Sequence, residues 1–288
     1  MPYKLRRKHV VGDEFKRVTQ RQVQHVAEAL SDAGRPDEAV HDARRHLKRA
    51  RAVLRLLRPT LGDTWYDREN GDLRGIARIL GPGRDAVVLM QTMDGLIDDA
   101  SDDGERDALV EARPMVEKHA DELREQTPDL AQALRRAATR LRDAATRIEG
   151  WDLSEDGADA LAAGLHRSYR QGRQRMAKAL RDQTDEAYHD WRKRVKDLLY
   201  QATLLKRATG GKLRKRLDKL ADVLGDDHDL AVLRQATDVA PLHDAIRAKQ
   251  AHLRRRAAKL GRRVYDDKPR AFVESLIKQW SRGHMARQ

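Results

Sequence analysis

The sequence predicts an all-α protein in which two similar helical units, a tandem repeat, pack into one pseudo-symmetric bundle. Three observations lead there. Ala, Leu and Val recur at helical spacing along almost the whole chain, and no stretch alternates convincingly as a strand would. Gly- and Pro-containing breaks separate the periodic stretches. A basic helical phrase occurs twice, with copies beginning at His41 and His189, an offset of 148 residues.

Taken in order, the first helix is expected over 13–33, before Gly34-Arg35-Pro36, and the second over 36–58, before Pro59 and Gly62. Helices over 65–80 and 84–97 flank Gly81-Pro82-Gly83. The acidic run Asp98-Asp99-Ala100-Ser101-Asp102-Asp103-Gly104-Glu105 follows, read as a solvated loop rather than as a strip that screens the basic surface. Helices over 105–125 and 129–149 are parted by Thr127-Pro128, and Gly150 closes the first half. Helices over 156–182 and 185–208 lead to Gly210-Gly211, and one over 212–224 stops at Gly225. Stretches 228–237, 241–264 and 268–281 complete the chain, punctuated by Pro241 and Pro269. One domain over 1–288 is expected, with halves of about 1–149 and 150–288.

Composition narrows the partners. The chain carries 59 Lys and Arg against 46 Asp and Glu, a net charge of +13, which favours a polyanion. A charged fraction of 36% and a mean hydropathy of −0.81 would suit disorder, but the periodicity assigns most charges to the wet faces of amphipathic helices. The absence of Cys removes disulfides, thiolate metal sites and Cys nucleophiles. The basic start, Met1 to His9, has no apolar run behind it, and no later stretch could span a bilayer, so a cytoplasmic protein is expected.

The phrase reads His-Asp-x-Arg-basic-x-apolar-Lys at His41-Asp42-Ala43-Arg44-Arg45-His46-Leu47-Lys48 and at His189-Asp190-Trp191-Arg192-Lys193-Arg194-Val195-Lys196. At about 100° per residue, Arg44, Lys48, Arg51 and Arg55 share the side of His41, while Ala43, Leu47, Ala50, Leu54 and Leu57 form the other. In the second copy His189, Arg192, Lys193 and Lys196 make the equivalent face, continued by Tyr200 and Thr203. Cations one turn apart repel on an exposed helix, so His41 and four cations on one face, echoed at a second site, point to an anionic ligand.

The repeat continues. Leu73-x-x-Ile76-Ala77-x-Ile79-Leu80-Gly81-x-x-Arg84-Asp85 matches Leu217-x-x-Leu220-Ala221-x-Val223-Leu224-Gly225-x-x-His228-Asp229. Asp85 and Asp229 are expected to orient a neighbouring Arg or His. Magnesium through Asp226, Asp227 and Asp229 is disfavoured, because the first copy keeps one carboxylate. Metal at His41 or His46 is not expected either, since they are five residues apart without a ligand neighbour at a familiar helical spacing. No cofactor is predicted. Hydrogen bonding to the ligand is the first reading of His41 and His189.

Nucleic acid fits poorly: the chain is 4% aromatic and its ridges lack interleaved stacking residues. Membrane binding fits less well, because the face opposite the cations is needed for the core. No P-loop or Gly-x-Ser-x-Gly is present, and no catalytic constellation is found, so no enzyme is predicted. Inorganic polyphosphate, all phosphate and no base, suits such a surface.

The two His phrases, the Leu-Gly-x-x-basic-Asp segments and the run Tyr169-Arg170-Gln171-Gly172-Arg173 resemble the CHAD family, the conserved histidine α-helical domain. The resemblance covers nearly the whole chain. It implies an all-α fold of two pseudo-symmetric helical bundles, a tandem repeat forming one compact unit around a basic central groove or channel that binds polyphosphate without catalysis, in some cases at polyphosphate granules. Carried over by position, the family's basic residues fall on His41, Arg44, Arg45, Lys48, Arg51 and Arg55, and on His189, Arg192, Lys193 and Lys196, supported by Arg170, Arg173 and His228. Leu199 and Thr203 replace the Arg51 and Arg55 of the first copy, which predicts a stronger first half. The alternatives are a general RNA or DNA binder and a histidine-dependent phosphatase or phosphotransfer protein.

Overall fold

Our computed structural model describes residues 3–6, 9–31, 36–80, 82–126, 130–153 and 157–285, and every regular element among them is an α-helix. They are α1 (Val11–Ser31), α2 (Pro36–Leu61), α3 (Asp63–Ile79), α4 (Pro82–Asp98), α5 (Asp103–Glu125), α6 (Leu130–Glu149), α7 (Gly157–Asp182), α8 (Asp185–Leu204), α9 (Lys206–Gln235), α10 (Ala240–Val264) and α11 (Pro269–Met285). The predicted breaks at Gly34-Arg35, Gly81 and Thr127-Pro128 lie outside the described residues.

One junction differs from expectation. The stretches predicted separately over 212–224 and 228–237 form a single helix, α9, which also takes in Gly210-Gly211 and runs straight through Gly225. A glycine inside a helix costs about 1 kcal/mol, whereas proline removes a hydrogen bond and clashes with the preceding turn. The first copy has Pro82 after its glycine and starts a new helix there; the second has Asp226 and continues. The acidic run holds the expected loop, at 99–102, with Asp98 closing α4 and Asp103-Gly104-Glu105 opening α5. There Asp102 Oδ1 accepts from Glu105 N at 2.8 Å, and Glu105 Oε2 accepts from Ser101 N at 2.7 Å, a reciprocal arrangement that starts α5.

The helices pair in the same order in both halves. α1 packs on α2 and α6, α3 on α2 and α6, and α4 on α5. In the second half α7 packs on α8 and α11, while α9, standing for α3 and α4 together, packs on α8, α11 and α10. The halves join where α2 meets α7 and α8, α4 meets α9, and α5 meets α10. Ala43, Leu47, Ala50, Leu54 and Leu57 of α2 are buried, as are Val195, Leu198 and Ala202 of α8 and Leu205 after it. Each large apolar side chain contributes about 2 kcal/mol by leaving water. That inward face fixes which way the cations of both helices must point.

Two glycines of α7 permit the close approaches. A Cβ at Gly164 would stand 2.2 Å from the Leu56 carbonyl oxygen of α2, and one at Gly172 would stand 2.3 Å from Tyr265 Oη. Buried Tyr169 stacks on Phe272 with centroids 4.0 Å apart and donates to the carbonyls of Val264 and Asp267, each at 3.2 Å. The Tyr169–Arg173 run thus ties α7 to α10 and α11.

Candidate functional site

α2 and α8 cross where Gln201 Nε2 donates to the Ala52 carbonyl at 3.3 Å. The two basic phrases thereby face one another. Arg44 and Lys48 from α2 lie within electrostatic reach of Arg192 and Lys196 from α8, with Asp229 of α9 beside them. Lys48 keeps solvent access along its side chain, but protein atoms crowd its ammonium. That crowding, with Arg192, Arg44 and Lys196 adding like charge, lowers it to about 8. Burial also lowers Arg192 and Lys196, and Asp229 partly restores both.

Asp85 takes the expected place beside an arginine. Arg44 Nη1 donates to the Leu80 carbonyl at 3.2 Å, and its Nη2 lies 3.5 Å from Asp85 Oδ1. Asp229 stands in the same relation to Arg192 by position in the repeat, and it is the strongest opposite charge acting on that guanidinium.

The histidines of the second half complete the cluster. His189 and His228 stack with ring centroids 4.2 Å apart. Burial, then Lys193 and Arg192, push His189 down to about 4; burial, then Arg192, His189, Lys193 and Lys48, push His228 down to about 3. Both imidazoles are neutral at pH 7 and ready to take a proton when negative charge arrives. His189 Nδ1 and Arg192 Nε are buried and have no hydrogen-bond partner among the described residues. The helical Gly225 lies under Arg192, since a Cβ there would sit 3.9 Å from that same Nε.

The other predicted residues divide into flank and frame. Arg45 pairs with Asp42 and Lys193 with Asp190 at 3.0 Å, on the exposed edges of their helices. His41 is exposed near the start of α2. Arg51 and Arg55 are held inside the protein: Arg51 Nε donates to Asn70 Oδ1 at 2.9 Å, and Arg55 pairs with the buried Asp197 at 3.1 Å. Arg170 is exposed on α7, and Arg173 donates to the Asp267 carbonyl at 3.1 Å. Neither is among the charges acting most strongly on Lys48, Arg192 and Lys196.

Sequence reasoning missed Arg49, which with Arg192 and Arg45 opposes burial at the Tyr200 hydroxyl. It also missed Asp197, the anion that holds both Arg55 and Arg194. Both occupy the same repeat position, 49 and 197, where the copies differ in sign; that contrast was the available signal. Asp227, weighed as a magnesium ligand, instead accepts from Arg254 Nε at 2.8 Å. A cavity of about 500 Å³ on the outer side of α7 and α8 is lined by Gln171, Gln174, Arg175, Lys178, Asp190, Lys193 and Arg194. No helix among the described residues is long and apolar enough to cross a membrane.

An all-helical protein whose two copies of one basic phrase close on a shared cationic site is thus the class that fold and geometry define. Within it, residues 17–238 match the CHAD domain, and the chain belongs to the CHAD domain family. The fold is similar to the crystal structure of the CHAD domain from the plant Ricinus communis, with 19% identity, 96% of each chain covered and a TM-score of 0.54. No curated protein matches the sequence significantly.

Proposed function

We propose that this protein binds inorganic polyphosphate, without catalysis, at the cluster formed by Arg44, Lys48, Arg192 and Lys196 with His189 and His228. The observation that carries the reading is the meeting of the two phrases: Lys48 feels Arg192 and Lys196 as like charges next to its own Arg44. Gathering cations from separate helices costs free energy that a bound polyanion returns. In the ligand complex the Arg side chains fork onto phosphate oxygens, the Lys side chains supply point charge, and protonated imidazoles donate. Few aromatic groups are available for stacking bases, which favours phosphate chains over nucleic acid. In this reading the protein is cytoplasmic and the binding places it at polyphosphate granules.

The test is a titration with long-chain polyphosphate, competed by RNA at equal phosphate concentration and at two salt levels. Polyphosphate binding that persists at physiological salt and resists RNA is expected. Equal displacement by RNA would make nucleic acid the partner. Phosphate release, or a phosphohistidine lost in a His41→Ala/His189→Ala variant, would replace the binding role with an enzymatic one.

A further inference from the structure

α1 and α2 bring together a second group of side chains, separate from the central cations. His25 Nε2 lies 3.0 Å from Asp42 Oδ2, and His46 Nε2 lies 3.4 Å from the same oxygen. The three atoms all fall within 4.8 Å of one another. Asp42 and His46 stand at i and i+4 on α2, which corrects the expectation that His46 has no ligand neighbour at a helical spacing, and His25 arrives from the neighbouring helix.

A buried amide sets the orientation. Gln22 Oε1 lies 2.8 Å from His46 Nδ1, so Nδ1 carries the hydrogen and donates to it. Nε2 then turns its lone pair toward the Asp42 carboxylate. Two lone pairs meeting at 3.4 Å repel unless a positive centre, a proton or a metal ion, lies between them. This is the outer-shell arrangement that fixes a metal-binding imidazole. Arg45 is engaged with the other carboxylate oxygen, Oδ1, which leaves Oδ2 common to both histidines.

We propose that His25, Asp42 and His46 form a binding site for a divalent transition-metal ion of the zinc type, with Gln22 as a positioning residue. Bonds of zinc length in a tetrahedron place adjacent ligand atoms about 3.3 Å apart, and the two contacts to Asp42 Oδ2, 3.0 and 3.4 Å, bracket that spacing. Two imidazoles with one carboxylate suit zinc rather than magnesium or calcium, which take oxygen ligands. His46 is buried, whereas half of the His25 side chain is exposed, so a fourth position opens toward solvent for water or an anionic oxygen. The site stands independently of polyphosphate binding.

Zn²⁺ titrated into the untagged chain against a chromophoric chelator tests this, with Co²⁺ absorption as a second readout. One equivalent of Zn²⁺ is expected to bind at this site and to raise the melting temperature. Substituting the exposed His25 (His25→Ala) should leave the fold intact, weaken that binding by at least about 100-fold and remove the four-coordinate Co²⁺ bands; Gln22→Leu should weaken it about tenfold. Equal Zn²⁺ affinity, stoichiometry and thermal shift in the wild type and His25→Ala would overturn the proposal. So would a wild type that takes up no Zn²⁺.

Discussion

In the first copy of the basic phrase, Arg44 already rests against a carbonyl at 3.2 Å and Asp85 at 3.5 Å, and its histidine, His41, is exposed. In the second copy, Arg192 keeps a buried Nε without a partner among the described residues, and His189 is stacked on His228. The same sequence phrase therefore produces one cationic arm whose Arg44 is hydrogen-bonded from within, and one whose Arg192 keeps that buried Nε unpaired while Asp229 supplies the strongest opposite charge. Electrostatic contacts strengthen as water is excluded. On the proposed function, the second arm is expected to gain more from an anion, the reverse of the ranking that counting Arg51 and Arg55 suggests. Those two arginines serve the frame, bound to Asn70 and Asp197.

Four perturbations bear on this contrast, two read in affinity and two in stability, each pair in falling order of effect. Arg192→Gln is expected to weaken polyphosphate binding about 30-fold, the loss of a strong charge-assisted contact. Arg44→Gln should cost only about fivefold, because that side chain gives up internal partners to bind. Titrations showing equal or reversed losses would break the distinction. Next, Asp226→Pro recreates in α9 the junction of the first half and should destabilise the protein by about 3 kcal/mol in urea unfolding. An unchanged midpoint would mean that the continuity of α9 is not what separates the halves. Arg55→Ala strips one partner from the buried Asp197 and should cost about 2 kcal/mol of stability while changing affinity by less than about twofold.

The smallest effect is on pH dependence. His189 and His228 sit at about 4 and 3, below their ordinary 6.5. Between pH 6.5 and 4 the unfolded chain therefore binds more protons than the folded one. Folding stability should fall as pH drops through that window, and a His189→Gln/His228→Gln variant should show a flatter melting curve against pH. Polyphosphate favours the protonated rings, so its affinity should rise over the same descent. In the other direction Lys48, at about 8, should make binding weaken as pH rises above 8.

The helical fold was legible because periodicity registers burial directly: the five apolar residues read as the inner face of α2 are all buried. The phrase also located both helices of the candidate site. What remained hidden depends on contacts across helices. Face geometry on one helix placed Arg51 and Arg55 with the exposed cations, yet it could not see Asn70 of α3 or Asp197 of α8 waiting for them. Gly225 looked like a stop because glycine often ends helices, but without a following proline the packing of α9 on α8, α10 and α11 carries the helix through. The union of His25 with Asp42 and His46 likewise needs the α1–α2 contact.

Calorimetric titration of polyphosphate into the wild type, Lys48→Gln, Lys196→Gln and the double variant tests most directly whether the two phrases make one site. A joint site requires unchanged stoichiometry, weaker binding in each single variant, and a double variant whose loss departs from the sum of the two. If each single variant instead halved the stoichiometry and left the remaining affinity untouched, the halves would be binding independently and the shared site would be wrong.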